Sequence, residues 1–571
     1  MSAKARPAVV IAKARPAVKS EPAAPGRPLD FWLPLILAVA VALRLIGLDT
    51  APPGINQDEA LSAWNGWCLL KTGHALSGEP WPLFHCRNIG DHPTMLFFYV
   101  LMPFQALCGL SVWSTRLPAA LAGIAAVACA WDLARRLAGD RAARWAALAM
   151  AVAPWSVFLG HFGTGASLGP LQALLPLNCL ARSGIVPALW PPAKRGRALW
   201  ALAAGLAFGV GAYGFHSLRL QLPLTLAAAL LASPGGALAR LSERGGRAGA
   251  LALFAGFLVP FVPLAFVSFH DPESLHRWQM TRLWGPGAPW WLIVQLVAQR
   301  WAIHFAPDFL FLHGDRYSML NPARAAALAW WMLPGLLAGA LLLLGRWRRD
   351  PRARLLFMLL VLYPVGDLVS VNDGVHSLRS AAGLPALALV VGMGWQELLG
   401  WFRKRGRNPS VAAMAVLLVA VGLETARFTK QFYVDAVRNR TTQIEYQAAL
   451  FDAARWLGKQ AGPDDTVFCT TTAMNEPFVI MLVGMRYDPK QWLKDDKDRL
   501  DGEYDRYRRF GRFNFVYDDT AQARVKALEA DTLKQHAWFV VRPGEFSLSD
   551  PALRLPAPDG EMMLWVCERN L

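Results

Sequence analysis

Long apolar runs separated by short basic clusters set the pattern of this chain. Apolar stretches fall at about 31–48, 115–134, 144–161, 165–182, 198–214, 219–233, 249–268, 324–345, 355–370, 379–400 and 410–427. Each has, or nearly has, the length a helix needs to cross a bilayer. The pattern predicts about eleven membrane helices. The basic clusters fall between pairs of them: Arg135/Arg136/Arg141/Arg144, Lys194/Arg195/Arg197, Arg240/Arg244/Arg247, Arg346/Arg348/Arg349/Arg352/Arg354 and Arg403/Lys404/Arg405/Arg407. Positive charge stays on the cytoplasmic side, so all five clusters are expected inside, with the N-terminus inside and the C-terminus outside. One further apolar stretch, His92 to Leu110, breaks this parity if it crosses. It is expected as an interfacial or re-entrant helix in a first outer loop, 49–115.

After about Phe428 the apolar runs shorten and charge returns. Thr466–Thr470, Phe513–Tyr517, Ala537–Val541 and Met562–Cys567 read as strands. They alternate with helical patterns at Ile444–Leu457 and Ala521–Leu528, which predicts a small α/β domain over 428–571, outside the membrane. Residues 1–30 are basic and rich in Pro and Ala, with AKARPAV occurring at both Ala3–Val9 and Ala12–Val18. Such a segment cannot bury a core and is expected as a disordered cytoplasmic tail, with the first apolar run a retained anchor.

Composition agrees with an α-helical polytopic membrane protein whose membrane-embedded part covers 31–427. The chain of 571 residues is 54% hydrophobic and holds 24 tryptophans. Its net charge of +17 lies in loop clusters rather than in one patch, which argues against a nucleic-acid partner. Seven cysteines are present. Cys68 and Cys86 share the first outer loop, and Cys469 and Cys567 share the outer domain. An oxidising exterior permits each pair to be a disulfide.

Candidate chemistry concentrates at the outer ends of the helices. Asp58 and Glu59 follow the Pro52-Pro53-Gly54 break that ends the first span. Two adjacent carboxylates there suit either the first turn of a helix or proton transfer. Arg44 lies inside the first span, as an interface anchor or as a partner for an anion. Arg87, His92, His161, His216, Arg219, His304, His313, Arg316, His376 and Arg379 also belong to the outer face. Such a set fits a phosphate carried by a lipid. Asp496-Lys497-Asp498 sits in a very polar run and reads as solvated surface. No HExxH, GxSxG or CxxC pattern is present, which weakens protease, hydrolase and redox readings.

Several of these pieces occur in a familiar order. RLIGLD at Arg44–Asp49, PPG at Pro52–Gly54, QDEA at Gln57–Ala60, DHPT at Asp91–Thr94, RLPAALAG at Arg116–Gly123 and ARRLAGDRAA at Ala134–Ala143 come first. HFAPDFLFLHGD at His304–Asp315 and HSLRSAAGLP at His376–Pro385 follow. The series resembles bacterial glycosyltransferase family 39, relatives of the protein O-mannosyltransferases and the lipid A aminoarabinose transferases. The resemblance covers about residues 31–400. It implies a C-type glycosyltransferase fold in the inner membrane, a sugar donor on polyprenyl phosphate and a catalytic carboxylate in the first outer loop. Asp58 is then the expected base. Glu59 is expected to orient it or to hold a metal or the acceptor. Arg44, His92, His216, Arg219, His313 and Arg379 are expected near the donor phosphate. Thr94 stands where the family commonly has a second proline, and His161 where it often has arginine. The acceptor, whether lipid, glycan or protein, stays open, as does a divalent metal. The competing class is a transporter or flippase for an anionic lipid or glycan. Transporters carry internal repeats and mid-membrane polar sites. Here the polar residues gather at one face and no repeat is evident.

Overall fold

The computed structural model describes residues 31–569 apart from 89, 187–188, 190–196, 237–242, 272–273, 275, 501–505, 517–535 and 546–549. The expected N-terminal tail and the helical pattern at Ala521–Leu528 lie outside the described residues. Every expected span contains a helix or a helix pair. The elements are α1 (Trp32–Leu45), α2 (Gln57–Thr72), α3 (Leu96–Cys108), α4 (Val112–Ala138), α5 (Asp140–Val152), α6 (Pro154–Gly160), α7 (Gly169–Ser183), α8 (Arg197–Gly211), α9 (Leu218–Leu231), α10 (Arg244–His270) and α11 (Trp290–Ile303). They continue with α12 (Met332–Arg346), α13 (Pro351–Leu362), α14 (Leu384–Lys404) and α15 (Arg407–Lys430). Among the described residues, four helices are long and apolar enough to cross a membrane, at Val112–Ala138, Gly245–His270, Ala381–Lys404 and Arg407–Arg438. The α5–α6 pair, bent by 58°, makes a fifth, and α1, α3, α8, α9 and α12 are shorter apolar helices.

The bend between α5 and α6 is local chemistry. Pro154 pushes Ala153 out of the helical region, to ψ 129, and α5 ends at Val152. The last carbonyls of α5 then need donors from elsewhere. Arg44 of α1 supplies them: Nη2 donates to Met150 O at 2.9 Å and Nη1 to Ala151 O at 3.0 Å. A further bond, Nη2 to Ser156 Oγ at 2.9 Å, ties in α6. Gly123 and Gly160 make room, since a Cβ at either would lie within 3 Å of the Arg44 side chain. Arg44 is fully buried and committed to this repair. The expectation that it meets the donor phosphate is therefore corrected.

The C-terminal part holds helices α16 (Ala448–Gln460), α17 (Pro477–Gly484) and α18 (Pro489–Lys494) on a seven-stranded sheet. Its strands are β1 (Thr466–Thr470), β2 (Lys497–Arg499), β3 (Tyr507–Phe510), β4 (Phe513–Val516), β5 (Ala537–Val541), β6 (Leu553–Pro556) and β7 (Met562–Arg569). The order is β2-β3-β4-β1-β5-β7-β6. β1 pairs in parallel with β4 on one side and β5 on the other, and the outer pairings are antiparallel. All five side chains of β5 are buried, as a central strand covered on both faces requires. All four strands read from the sequence are present.

The same sheet separates the expected disulfide partners Cys469 and Cys567. Cys469 is in register with Val540, and Cys567 with Phe539, so the whole of β5 lies between them. Two strand spacings are about 9.5 Å, beyond the usual Cα separation of a disulfide. The two thiols also join different apolar clusters. Cys68 packs with Ile55 and Trp64, whereas Cys86 packs with Leu69, Met95 and Phe98. All seven cysteines are free thiols, which corrects both expected pairs.

The C-terminal sheet is not a separate appendage. One apolar cluster runs from Ile55, Leu61 and Trp64 of the first loop into Phe478, Trp492, Phe510 and Val540. Trp64 and Trp492 meet edge to face at 6.4 Å, and Trp492 Nε1 donates to Leu76 O at 2.9 Å. On its other side α2 packs on α3, where Gly66 faces Leu101 and Gln105, whose Nε2 donates to Ala63 O. The helix that carries Asp58 is thus held between the bundle and the sheet.

Candidate active site

The site begins at the start of α2. Asn56 is the N-cap, in extended backbone, and its Oδ1 accepts from Asp58 N at 2.9 Å. Glu59 closes the capping box by accepting from Asn56 N at 3.4 Å. Beyond that local role, Glu59 is wholly buried against Arg116 of α4. Arg116 Nε reaches Oε1 and Nη2 reaches Oε2, both at 2.8 Å. Gly163 N also donates to Oε1, at 2.8 Å. Each carboxylate oxygen thus has two donors. Arg116 spends its remaining hydrogens on Leu48 O, Pro52 O and Gly54 O. The pair stitches the Pro-Pro-Gly turn to α4, so the Glu59 carboxylate is occupied by Arg116 and Gly163 rather than open to a metal or the acceptor, and of its expected roles it is left with fixing the helix start that carries Asp58. Asp58, one residue earlier, is exposed. About 100° of helical rotation separates the two side chains, so one anchors while the other faces out.

A run of contacts leads from this clamp to the cationic candidates. His161, just before Gly163, bridges the last turn of α1 and the turn that follows it: Nδ1 lies 2.8 Å from Ala51 O and Nε2 2.9 Å from Leu43 O. Gly165 packs on Gly214 O, with no room for a side chain. Thr94, of the Asp91–Thr94 motif, donates to the same Gly214 O at 3.0 Å. His216 and Arg219 follow at the start of α9. Between them, Ser217 packs on Gly366, which also touches Arg379 O. The His92, His216–Arg219 and Arg379 segments therefore converge with the Asp58 loop. Arg219 Nη1 donates to Ser268 Oγ at 3.2 Å and Ser274 Oγ at 3.5 Å. Its Nε and Nη2 are buried and have no partner among the described residues. A buried guanidinium with two idle donors suits an anionic oxygen pair.

His92 is buried, with its ring edge-on to His85 at 5.4 Å. His85 Nε2 in turn meets Asp271 Oδ2 at 2.6 Å. His313 does not join the group. Its side chain is 73% exposed and Nδ1 bonds Asp308 Oδ1 at 2.5 Å. Its expected place at the phosphate is corrected by that exposed pairing.

Asp367 is a hub that the sequence reading missed. Its carboxylate is wholly buried, and Oδ2 accepts from Arg300 Nη2 at 2.9 Å and His376 N at 3.0 Å. His304 Nε2 lies 3.3 Å from Oδ2, and Arg379 Nη1 lies 3.8 Å from Oδ1. Asp367 thereby fixes the loop that carries His376 and Arg379. An ionisable residue inside the apolar run 355–370 was the available signal. Beside the hub, Ile293, Val294, Val297, Ala298 and Trp301 of α11 and Leu368 line an apolar groove of about 380 Å³. Among the described residues no three His, Cys, Asp or Glu side chains are grouped to hold a metal.

Part of the chain, and its fold as a whole, are similar to known proteins. Residues 91–264 match the family described as dolichyl-phosphate-mannose-protein mannosyltransferase. A stretch of 127 residues is 31% identical to "Putative mannosyltransferase YycA" of Bacillus subtilis (strain 168), and the match takes in 22% of this chain and 17% of that protein. ArnT from Cupriavidus metallidurans, solved bound to undecaprenyl phosphate, shares the fold with a TM-score of 0.54 at 16% identity, over 95% of this chain and 99% of ArnT. The apo oligosaccharyltransferase of Archaeoglobus fulgidus gives a TM-score of 0.51 at 12% identity, over 90% of this chain and 69% of that one. The family match thus covers residues 91–264, and the fold of ArnT is shared along nearly the whole chain.

Proposed function

We propose that the protein transfers a sugar from a polyprenyl-phosphate donor to an acceptor hydroxyl on the outer face of the membrane, with inversion at the anomeric carbon. The observation that carries this reading is the opposite fate of the two adjacent carboxylates: Glu59 is locked in place and Asp58 is exposed on the rigid helix start it creates. Asp58 takes the proton of the attacking hydroxyl. The hydroxyl oxygen bonds the anomeric carbon as the bond from that carbon to the phosphate oxygen breaks. Arg219 and Arg379, with His92 and His216, hold the departing phosphate, which needs charge stabilisation more than protonation. The groove along α11 takes the prenyl chain. ArnT, of the same fold, was solved with undecaprenyl phosphate bound, which supports the donor class. The domains we assign are the membrane-embedded transferase, 31–427, and the outer α/β domain, 428–571.

The test is a purified, detergent-solubilised protein given a polyprenyl-phosphate sugar. Loss of the sugar phosphate should equal release of polyprenyl phosphate, and the product linkage should have the opposite anomeric configuration. Movement of the intact lipid across a vesicle bilayer without loss of its sugar would favour the flippase class instead.

A further inference from the structure

Three non-glycine residues with left-handed backbone meet where the outer sheet joins α2: Gln447 at φ 46, Ala473 at φ 55 and Glu476 at φ 47. Side chains with a Cβ adopt this region rarely, and such outliers gather at ligand sites. Gln447 and the Ala473–Glu476 loop are bonded to each other. Gln447 Nε2 donates to Asn475 O at 2.6 Å. Its Oε1 is buried with no partner among the described residues, in a residue only 5% exposed. Glu476 Oε1 takes Arg506 Nε at 3.4 Å, while Oε2 is buried and also without a partner among the described residues. Burial holds the Glu476 carboxyl above its ordinary range. Two acceptor atoms are thus held in place without a donor among the described residues, and buried acceptors are normally satisfied.

This corner also packs against the start of the Asp58 segment. Gly54, at φ 72, closes directly on Tyr446 O and Ala448, leaving no space for a side chain. Ile55 N donates to Tyr446 O at 2.9 Å, and Asn56 Nδ2 to Glu445 O at 3.2 Å. Gln447 therefore sits on the turn that leads into Asp58. The Ala473–Glu476 loop leaves the carboxyl end of β1, beside β5, where the chain departs from the two parallel strands toward opposite sides of the sheet. Crevices at such points are the usual ligand sites of open α/β sheets. Thr470 and Thr472 hydroxyls, both bonded to Glu545 Oε1, line the same strand end.

We infer that the Gln447–Glu476 corner is an acceptor subsite that takes two hydroxyls of a polyol, so that the protein glycosylates a sugar-bearing acceptor. This rests on the transferase reading above. A ligand there must donate at least two hydrogens. A phosphate or carboxylate would face Glu476, and a hydroxyl-bearing amino acid offers a single hydroxyl beside its backbone N–H, whereas a polyol presents two hydroxyls on neighbouring carbons. Arg506 already offsets the Glu476 charge, which favours a neutral polyol over an amine.

The experiment is saturation-transfer NMR on the full-length protein in detergent, with methyl α-glucopyranoside as the polyol probe and N-acetylserine amide as the single-hydroxyl probe. The glycoside should bind saturably to wild type and at least tenfold more weakly to Gln447→Met and Glu476→Gln, and the serine probe should not bind. No saturable glycoside binding to wild type overturns the subsite, and that result needs no variant. Equal glycoside binding by folded variants overturns it as well. Serine-probe binding lost in the same variants would replace the polyol with a protein hydroxyl. Polyprenyl-phosphate binding to wild type, measured in parallel, reports on the donor reading alone. Lipid binding without glycoside binding sinks the subsite and leaves the donor reading standing.

Discussion

Arg116 holds Glu59 by two parallel hydrogen bonds of 2.8 Å, with both side chains fully buried. The fork geometry of a guanidinium fits a carboxylate in this way, and an ammonium cannot reproduce it. Breaking a buried pair leaves an unpaired charge and costs about 3–5 kcal/mol. Arg116→Lys and Glu59→Gln should therefore lower the melting temperature and the yield of folded protein. A double variant, Glu59→Met with Arg116→Met, should be less unstable than Glu59→Met alone, because no charge is stranded. Fluorescence-detected thermal unfolding in detergent checks this. Full stability of Glu59→Gln would contradict the clamp.

The two arginines nearest to expectation part ways. Arg44→Met should unfold readily, because Met150 O and Ala151 O lose their donors, yet the fraction that folds should bind donor as wild type does. Arg219→Met should fold and bind polyprenyl phosphate about ten- to a hundredfold more weakly, as expected for a net loss of one charge-assisted bond of about 1.5–3 kcal/mol. Binding of labelled polyprenyl phosphate to both variants separates the cases.

The helices were legible because each apolar run is a local statement, and four strands of the C-terminal sheet were legible for the same reason. The interactions that decide roles were not local. Arg44 is recruited by carbonyls freed at Ala153-Pro154, more than a hundred residues later, and nothing near Arg44 says so. Sequence places Asp58 and Glu59 side by side but does not say which one meets Arg116. The cysteine pairs failed because sharing an outer segment says nothing of the strand that runs between two thiols. Asp367 could have been found, since a carboxylate within an apolar run demands partners.

The C-terminal sheet carries a pH-sensitive clasp. His536 Nε2 meets Glu568 Oε1 at 2.7 Å and Nδ1 meets Asp465 Oδ1 at 2.9 Å. The hydrogen bond to Glu568, with that to Asp465, raises the imidazole above its usual pKa. Its contribution to stability is then fully present below about pH 6.5, the unfolded value, and is lost as pH rises through the folded one. Melting of the protein should fall across that window, and His536→Gln should flatten the dependence. An unchanged pH profile in His536→Gln would remove the clasp.

Orientation in the membrane is expected from charge alone. Reporter fusions after Arg405 and after Arg438 bracket α15 and should give opposite-side signals, with the second one outside. Signals from the same side would undo the placement of Asp58 on the outer face.

Single-turnover transfer by Asp58→Asn is the most direct measurement. Asparagine keeps the size of the side chain but cannot take the hydroxyl proton. Asp58 is exposed, so the change leaves the Glu59–Arg116 clamp and the fold intact. A helix-end charge alone is worth about 0.3–1 kcal/mol of stability and little chemistry. Loss of a general base slows transfer by about 10²–10⁴. The variant should bind polyprenyl-phosphate sugar as wild type does and transfer it at least about a hundredfold more slowly. Transfer within about threefold of wild type, by folded and donor-bound protein, would contradict Asp58 as the base.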